Sequence, residues 1–281
     1  MFFLFHTTNL LLPYLIIITI SIFLAIPCAA RLSFNYTDFS KTDNRSTLNV
    51  SGNATFLGRA TYSKLMHLWD NESGKLADFN TNFSFIIYSE GRDSYSDGLT
   101  FFLASPDLPT PSPTDGVGIG LASREQVRGP NFLAAYKFVA VEFDTYRNRR
   151  WDPVEPVREH VGINVNNLTS QNSTPWYSVV KENRTYSASI GYRSSTQNLS
   201  VTFTGFNNVN GTVPVQQHLS AIVGLEDQLP EWVEFGFSSS TGLATELDVL
   251  RSWSFESMPP FFIRKSAEPN KNGDDSKRRG R

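Results

Sequence analysis

The sequence predicts an all-β domain built as a sandwich of two antiparallel sheets. Residues 79–88 begin with strict alternation of apolar and polar side chains, the pattern of a half-buried strand. Residues 99–104 (LTFFLA) are almost continuously apolar, which is typical of a strand buried on both faces. Turn residues separate many short runs of this kind and helical periodicity is nearly absent, so a two-sheet sandwich is favoured.

Further short runs of the same character complete the predicted sheets. They are residues 32–36, 137–145, 160–165, 186–192, 199–203, 232–237 and 249–255. Residues 193–198 (RSSTQN) lie between two alternating runs and predict a hairpin. Four prolines and three glycines in residues 106–120 predict a long surface loop.

Length and composition allow one large β domain and exclude one class of partner. The chain has 281 residues, of which 40% are hydrophobic, so a sizeable core can form. The net charge of -2 gives no electrostatic reason to expect nucleic acid. We find no internal repeat and no linker in residues 31–258, which we interpret as a single domain.

The two ends differ from this domain. Residues 1–30 contain an apolar run and end in small residues (PCAA), which predicts a signal peptide cleaved after Ala30. This segment lacks Lys and Arg before its apolar run, so an uncleaved membrane anchor stays the alternative. Residues 259–281 are rich in charge and predict a solvated tail. The alternative for the tail is a juxtamembrane segment whose span is missing from this sequence.

Secretion to the apoplast or cell surface is the predicted location. The only cysteine, Cys28, lies in the signal peptide, so no disulfide is expected in the mature chain. Eleven acceptor sites for N-linked glycan support secretion. They are Asn35, Asn44, Asn49, Asn53, Asn71, Asn82, Asn167, Asn172, Asn183, Asn198 and Asn210.

An acidic loop between two predicted strands predicts a metal site. Residues 139–170 carry Glu142, Asp144, Asn148, Asp152 and His160. Glu142 and Asp144 point to the same face of a strand, where two anions are costly unless a cation neutralises them. Oxygen donors with one imidazole suit calcium or manganese rather than zinc. The alternative is a pair of carboxylates on a solvated strand face.

Several blocks of the chain resemble the legume (L-type) lectins. The blocks are residues 139–146 (VAVEFDTY), Asn148, residues 151–153 (WDP), 160–163 (HVGI), 96–104 (SDGLTFFLA), 229–233 (LPEWV) and 252–255 (SWSF). The resemblance covers about residues 31–258. It implies a jelly-roll sandwich of the concanavalin type, with a calcium and a manganese ion beside a shallow sugar site.

The resemblance also implies a role for each residue of the acidic loop. Manganese would be bound by Glu142, Asp144, Asp152 and His160, with Ser170 holding a manganese-bound water. Calcium would be bound by Asp144, Asp152, the backbone carbonyl of Tyr146 and the side-chain oxygen of Asn148. Asp144 and Asp152 would therefore bridge the two ions.

The sugar contacts that the resemblance implies come from several loops. Asp97 would accept two sugar hydroxyls after a cis peptide with Ser96, Asn148 would donate its amide, and Tyr146 would pack on the sugar ring. The glycine-rich loop, the end of the predicted loop at residues 106–120 (GVGIG at 116–120), would place Val117 at the position of the backbone donor, with Gly116 beside it. Leu243 and Ala244 would lie in the specificity loop, which is shorter here than in seed lectins.

These features predict a secreted lectin with glycans or glycoproteins as partners. The short loop resembles the extracellular domains of plant lectin receptor kinases, so a truncated receptor ectodomain is an alternative, as is a lectin-like defence or interaction protein that has lost sugar binding. A jelly-roll glycosidase would need a third carboxylate where Arg147 stands, so no enzymatic activity is expected. Homodimerisation through the back sheet and membrane attachment stay open.

Overall fold

The computed structural model describes residues 31–39, 48–51, 57–112, 115–129, 131–154, 158–206, 213–242 and 244–258. The predicted signal peptide and the predicted tail lie outside the described residues. No helix in the part of the chain that the structure describes is long and apolar enough to cross a membrane.

The described residues form two antiparallel sheets that we call the back sheet and the front sheet. In spatial order, the back sheet contains β1 (Leu32–Tyr36), β14 (Leu247–Met258), β5 (Asp78–Tyr88), β10 (Tyr186–Arg193), β11 (Asn198–Phe206) and β12 (Pro214–Ile222). The front sheet contains β2 (Leu48–Ser51), β3 (Leu57–Tyr62), β13 (Trp232–Ser240), β6 (Gly98–Ala104), β7 (Phe138–Asp144), β8 (His160–Val165) and β9 (Asn172–Pro175). β4 (Met66–His67) also pairs with β13.

Helical structure among the described residues is limited to short segments. They are α1 (Arg124–Arg128), α2 (Phe132–Ala135), α3 (Leu225–Gln228) and a 3₁₀ turn, Ser194–Thr196. The 3₁₀ turn joins β10 to β11 as the predicted hairpin, with Gln197 in the left-handed region at φ +51°. The predicted all-β sandwich is confirmed.

The main core lies between the sheets and is dominated by aromatic rings. Phe85 of the back sheet packs on Phe143 of the front sheet at 4.8 Å between ring centroids, and Phe237 packs on Trp253 at 4.9 Å. Burying each such side chain contributes roughly 2–3 kcal/mol. The alternation of a strand explains the face: Val141 and Phe143 of β7 point into this core.

A second apolar cluster covers the opposite face of the front sheet. Ala140 of β7 and Phe102 of β6 contact this cluster, together with Val117 and Leu121 of the glycine-rich loop. β6 and β7 are thus buried on both faces, which accounts for their continuous apolar sequence.

The prediction that residues 106–120 form a surface loop is wrong for its second half. Residues 116–123 are all buried. Arg59 of β3 fastens this segment, since its guanidinium donates hydrogen bonds to the carbonyls of Leu108 (2.9 Å), Gly120 (2.8 Å) and Leu121 (3.1 Å). Burial lowers the pKa of Arg59 to about 10, so the guanidinium still carries its charge at neutral pH.

Candidate metal and sugar site

The register of three front-sheet strands gathers the predicted metal ligands on one face. Asp144 of β7 pairs with His160 of β8, and Glu142 pairs with Gly162. Gly98 of β6 lies opposite Asp144 on the other side. Because side chains alternate along a strand, Glu142, Asp144 and His160 all point to the face opposite the main core.

Asp152 returns from the acidic loop to complete a group of possible metal ligands. One ligand atom each from Asp144, Asp152 and His160 lies within 4.8 Å of the others. The Nε2 atom of His160 lies 3.4 Å from Glu142 Oε1 and is buried without a hydrogen-bond partner. The Nδ1 atom of His160 lies 3.5 Å from the carbonyl of Arg158, so Nε2 is the nitrogen that faces the carboxylates.

Glu142 is held in place by hydrogen bonds to both of its carboxylate oxygens. The hydroxyl of Ser170 donates to Oε1 at 2.6 Å, and the amide of Asn164 donates to Oε2 at 3.1 Å. Only a glycine fits at position 162, because a Cβ there would lie 2.2 Å from Ser170 Oγ and 2.6 Å from Glu142 Oε1. Our sequence reasoning missed Asn164, although it lies four residues past His160 on the same strand face.

The charges of this group fit a divalent cation. Burial and the neighbouring carboxylates Asp152 and Glu142 raise the pKa of Asp144 well above its usual range. Burial likewise raises the pKa of Asp152 to about 6. Burial disfavours the charged form of His160, but Glu142 and Asp152 outweigh it and raise the imidazole pKa. Closely spaced buried carboxylates, next to an imidazole nitrogen without a hydrogen-bond partner, are the surroundings in which a cation is stabilised.

The acidic loop folds as a tight turn that brings Tyr146 and Asn148 to the metal ligands. The amide of Tyr146 donates to Asp144 Oδ1 at 2.7 Å, and the amide of Asn148 donates to Asp152 Oδ2. The side-chain amide of Asn148 lies 3.4 Å from the carbonyl of Tyr146. The structure therefore brings together all seven residues that were predicted as metal ligands or as their support.

Asp97 lies beside this group and has one unused carboxylate oxygen. The peptide between Ser96 and Asp97 is cis, as the family resemblance implies. The backbone of Asp97 donates to the carbonyl of Ser240 and accepts from the amide of Thr145, both at 3.2 Å. Its Oδ2 atom is buried and has no hydrogen-bond partner, and burial with Asp115 raises the pKa of Asp97 to about 7.

Two glycines, rather than Val117, make room for the Asp97 carboxylate. A Cβ at Gly116 would lie 1.9 Å from Asp97 Oδ2, and one at Gly242 would lie 2.9 Å from it. The predicted role of Val117 as the backbone donor to sugar is not supported. Its amide already donates to the carbonyl of Asp115 at 2.8 Å, and its side chain is buried in the second apolar cluster.

The predicted specificity loop is tied to the cis peptide. The hydroxyl of Ser96 donates to the carbonyl of Ala244 at 2.8 Å, so Ala244 lies next to Asp97 as predicted. Leu243 lies outside the described residues. The loop then enters β14 through Glu246, both of whose carboxylate oxygens accept the hydroxyl of Thr145 (2.8 and 2.9 Å).

A second acidic pair, Glu246 and Asp248, which sequence reasoning missed, lies where the specificity loop enters β14. Burial and then Asp248 raise the pKa of Glu246 to about 9, and burial raises that of Asp248 to about 7. The hydroxyl of Ser239 donates to Asp248 Oδ2, whereas Oδ1 has no partner. The two acidic residues are separated by Leu247 in a strand, a spacing that could have pointed to this pair.

Comparison with known proteins identifies the family. The family model for the legume lectin domain matches residues 31–271. The chain belongs to the legume lectin family. It is 36% identical to Lectin 9 of Medicago truncatula over 229 residues, which span 81% of this chain and 78% of that protein.

Solved lectin structures share the fold of this family member. The basic winged bean lectin with Tn-antigen matches with a TM-score of 0.66 and 32% identity, covering 82% of this chain and all of that one. The acidic winged bean lectin complexed with methyl-α-D-galactose also has a TM-score of 0.66, with 31% identity over 81% of this chain and 98% of that one. The relatives are sugar-binding proteins without enzymatic activity, so this lectin is not a glycosidase.

Eight of the eleven predicted glycosylation sites fall on described residues. Seven of their asparagines are exposed: Asn35, Asn49, Asn71, Asn82, Asn167, Asn172 and Asn183. Asn198 is half-buried, whereas Asn44, Asn53 and Asn210 lie outside the described residues. Asn35 and Asn82 both line a groove of about 520 Å³ on the outer face of the back sheet.

Proposed function

We propose that this protein is a secreted lectin whose sugar site depends on bound calcium and manganese. The observation that carries the proposal is the unused Oδ2 atom of Asp97, which is buried between Gly116 and Gly242. In its ionised form, which a neighbouring cation favours, a carboxylate whose Oδ2 atom lacks a protein partner suits the role of acceptor for sugar hydroxyls, because charge-assisted hydrogen bonds are about twice as strong as neutral ones.

The chain's own residues explain why metal and sugar binding are coupled. Thr145 directly follows the metal ligand Asp144 and donates its amide to the carbonyl of Asp97. Asn148 contributes its side-chain oxygen to calcium and its amide to the sugar, and Tyr146 provides its carbonyl to calcium and its ring to the sugar face. A shift of the acidic loop would therefore move every sugar contact at once.

The proposed metal ligands are those that the structure gathers. Glu142, Asp144, Asp152 and His160 would hold manganese, with Ser170 supporting its water. Asp144, Asp152, Tyr146 and Asn148 would hold calcium. When bound, the ions neutralise the buried carboxylates and fix the loop. Without them, the mutual repulsion of these groups and the burial of Asp144 disfavour the arrangement that binds sugar.

The proposed ligand is a glycan or glycoprotein outside the cell. The winged bean lectins, solved with methyl-α-D-galactose and with Tn-antigen, support a hexose-type ring as the group that contacts Asp97. A lectin-like defence protein that has lost sugar binding is the competing function, favoured by the short loop that contains Ala244. The same short loop favours, as a second alternative, a receptor ectodomain whose membrane attachment is supplied by a separate segment.

Glycan at Asn82 would also control self-association. Asn82 is exposed in the middle of the back sheet and lines its outer groove together with Asn35. A glycan there would cover the face through which family members often dimerise. We propose that the protein is a monomer when Asn82 carries a glycan. A homodimer through the back sheet would form only when Asn82 is unmodified.

A glycan-array experiment with two matched variants tests the proposal. Asp97→Ala removes the acceptor and is expected to reduce binding at least about 100-fold, since a buried charged hydrogen bond is lost. Asp227→Ala removes an exposed carboxylate in α3 and is expected to bind as the wild type does. Unchanged binding by Asp97→Ala contradicts the proposal, and full metal content without affinity for any glycan favours the defence protein.

A further inference from the structure

We propose that the ligand is an anionic glycan, whose acidic group binds a surface formed by Trp151, Arg124, Arg149 and Arg150. We call this surface the arginine platform. The inference rests on the proposed sugar site and adds the chemical class of its ligand. The hexose at Asp97 would be one residue of a longer chain, and a neighbouring residue would carry the negative charge.

The platform forms where two loops meet at one indole ring. The guanidinium carbon of Arg124, at the start of α1, lies 5.6 Å from the centroid of the Trp151 ring. The guanidinium carbon of Arg150, from the acidic loop, lies 5.4 Å from the same ring. Both distances fall within the range of cation–π contacts. Trp151 is half-buried and packs against the second apolar cluster, which fixes its position.

The platform borders the sugar site along both loops. In the acidic loop, the amide of Trp151 donates to the carbonyl of Asn148 at 2.9 Å, and Asn148 is a proposed sugar contact. In the glycine-rich loop, the amide of Arg124 donates to Asp115 Oδ2 at 2.9 Å. Asp115 precedes Gly116, which abuts the Asp97 carboxylate. These contacts tie the platform to both loops that border the Asp97 carboxylate, so a glycan seated at Asp97 would extend toward it.

The positive charge of the platform lacks a carboxylate partner in the described part of the chain. Arg31, Arg92, Arg184 and Arg193 elsewhere on the surface each form an ion pair with an acidic side chain. The guanidinium groups of Arg124, Arg149 and Arg150 form none among the described residues, although all three residues are exposed. Asp115, the nearby acid, contacts the backbone of Arg124.

This local excess of positive charge is not a property of the whole protein. The chain carries a net charge of -2, so its overall charge gives no general affinity for anions and the three arginines must provide it locally. Two guanidinium groups on one ring also repel each other, and a bound anion offsets that repulsion. The arrangement is therefore most stable when an anion is present.

The side chains of the platform match an acidic sugar. A guanidinium group binds a carboxylate or a sulfate ester through two parallel hydrogen bonds. The indole ring offers an apolar face for the carbon–hydrogen face of a pyranose, as aromatic side chains do in ligand sites. A uronate-bearing oligosaccharide satisfies both, and a sulfated oligosaccharide provides the same charge.

Titration calorimetry with metal-loaded protein tests the inference. The ligands are an oligomer of galacturonic acid, the neutral galactose oligomer with the same linkage and a sulfated form of the neutral oligomer. The wild type is expected to bind one or both anionic oligomers at least about tenfold more tightly than the neutral one, with an advantage that shrinks as salt rises. The variant carrying Arg124→Gln, Arg149→Gln and Arg150→Gln is expected to lose that advantage and keep its affinity for the neutral oligomer.

The control variant removes the same number of charges from the other side of the sandwich. It carries Arg31→Gln, Arg193→Gln and Arg251→Gln and is expected to keep the preference. If the wild type binds acidic and neutral oligomers with equal affinity, and Asp97→Ala loses binding of both, the platform is overturned but the proposed function stands. Anion binding that survives Asp97→Ala supports the platform as an anion site and contradicts the proposed function. No binding of any of these oligomers overturns the platform, whereas the proposed function is decided separately by the glycan array.

Discussion

The carboxylate of Asp97 depends on small neighbours as much as on its own chemistry. Gly116 adopts φ +71° and leaves no space for a Cβ next to Asp97 Oδ2. The sequence predicted Asp97 and the glycine-rich loop, with Val117 as backbone donor and Gly116 beside it, but it did not show that Gly116 packs against the carboxylate. The neighbours of a loop residue are set by contacts with distant strands, which have no local signal in the sequence.

Gly116→Ala is expected to abolish sugar binding while metal content stays normal. The added Cβ would lie 1.9 Å from Asp97 Oδ2 and force the acceptor out of place. A matched control is Gly74→Ala, since Gly74 has a similar φ of +64° but open space around it. Both variants should lose roughly 1 kcal/mol of unfolding free energy through backbone strain. Sugar affinity and urea denaturation measure the two effects, and retained binding by Gly116→Ala would contradict the assigned site.

Gly162→Ala is expected to weaken manganese binding at least about tenfold. The added methyl group would separate Ser170 from Glu142, which its hydroxyl orients at 2.6 Å. Gly58→Ala in β3 is the control, because nothing lies within 4 Å of its Cβ position. Bound manganese can be followed by electron paramagnetic resonance. Wild-type affinity in Gly162→Ala would show that Ser170 and Glu142 do not support the metal.

At the level of elements, strands were easier to predict than the loop that completes the site. The strands β5, β6, β7 and β8 are recognisable in the sequence by alternation or by continuous apolar runs. Their predicted ranges agree with the structure to within one residue at either end. β12 was missed because most of its side chains are exposed or half-buried, so it shows no apolar alternation.

The buried half of the glycine-rich loop could not be read from its own sequence. Its proline and glycine content is typical of a surface loop, yet residues 116–123 are buried. The cause lies in β3, where the guanidinium of Arg59 bonds four carbonyls of this loop. A contact between residues about sixty positions apart has no local signal in the sequence.

Arg59→Lys is expected to loosen the glycine-rich loop and weaken sugar binding. A lysine keeps the charge but cannot reach carbonyls spread around a planar guanidinium, so buried acceptors are left unsatisfied. We expect a loss of about 2–4 kcal/mol in the free energy of unfolding. Arg31→Lys, at an exposed ion pair on the back sheet, is the control for the substitution. Calorimetric unfolding that is unchanged in Arg59→Lys would contradict this role.

At the level of the whole molecule, both sheets bring acidic residues to one end of the sandwich. Asp97, just before β6, and Asp144, at the end of β7, are buried in the front sheet, and Glu246, just before β14 of the back sheet, is buried as well. Asp248 of β14 is half-buried. Burial raises the pKa of each of these groups. The family resemblance gave the metal ligands from sequence, whereas the spacing of Glu246 and Asp248 pointed only to a shared strand face, and their raised pKa values follow from the packing of the two sheets.

Glu246→Gln is expected to stabilise the metal-free protein at alkaline pH. The pKa of Glu246 is about 9 in the folded state and about 4.3 in an unfolded chain. Between these values the folded state binds one more proton, so the free energy of unfolding falls as the pH rises. Glutamine still accepts the hydroxyl of Thr145 and has no proton to lose.

The stability advantage of Glu246→Gln should therefore grow by roughly 1 kcal/mol per pH unit between pH 5 and 8. Urea denaturation in chelator at several pH values measures it, and Glu72→Gln at an exposed position serves as the control. Parallel pH profiles for the wild type and Glu246→Gln would show that Glu246 is already ionised in the folded protein.

The affinity of one glycan for metal-free and metal-reloaded protein tests the central claim most directly. A ligand from the glycan array is titrated into chelated wild-type protein, then again after calcium and manganese are restored. We expect binding to vanish in chelator and return on reloading, while Asp97→Ala takes up the same metal without regaining affinity. Equal affinity with and without metal would contradict a sugar site organised by the acidic loop.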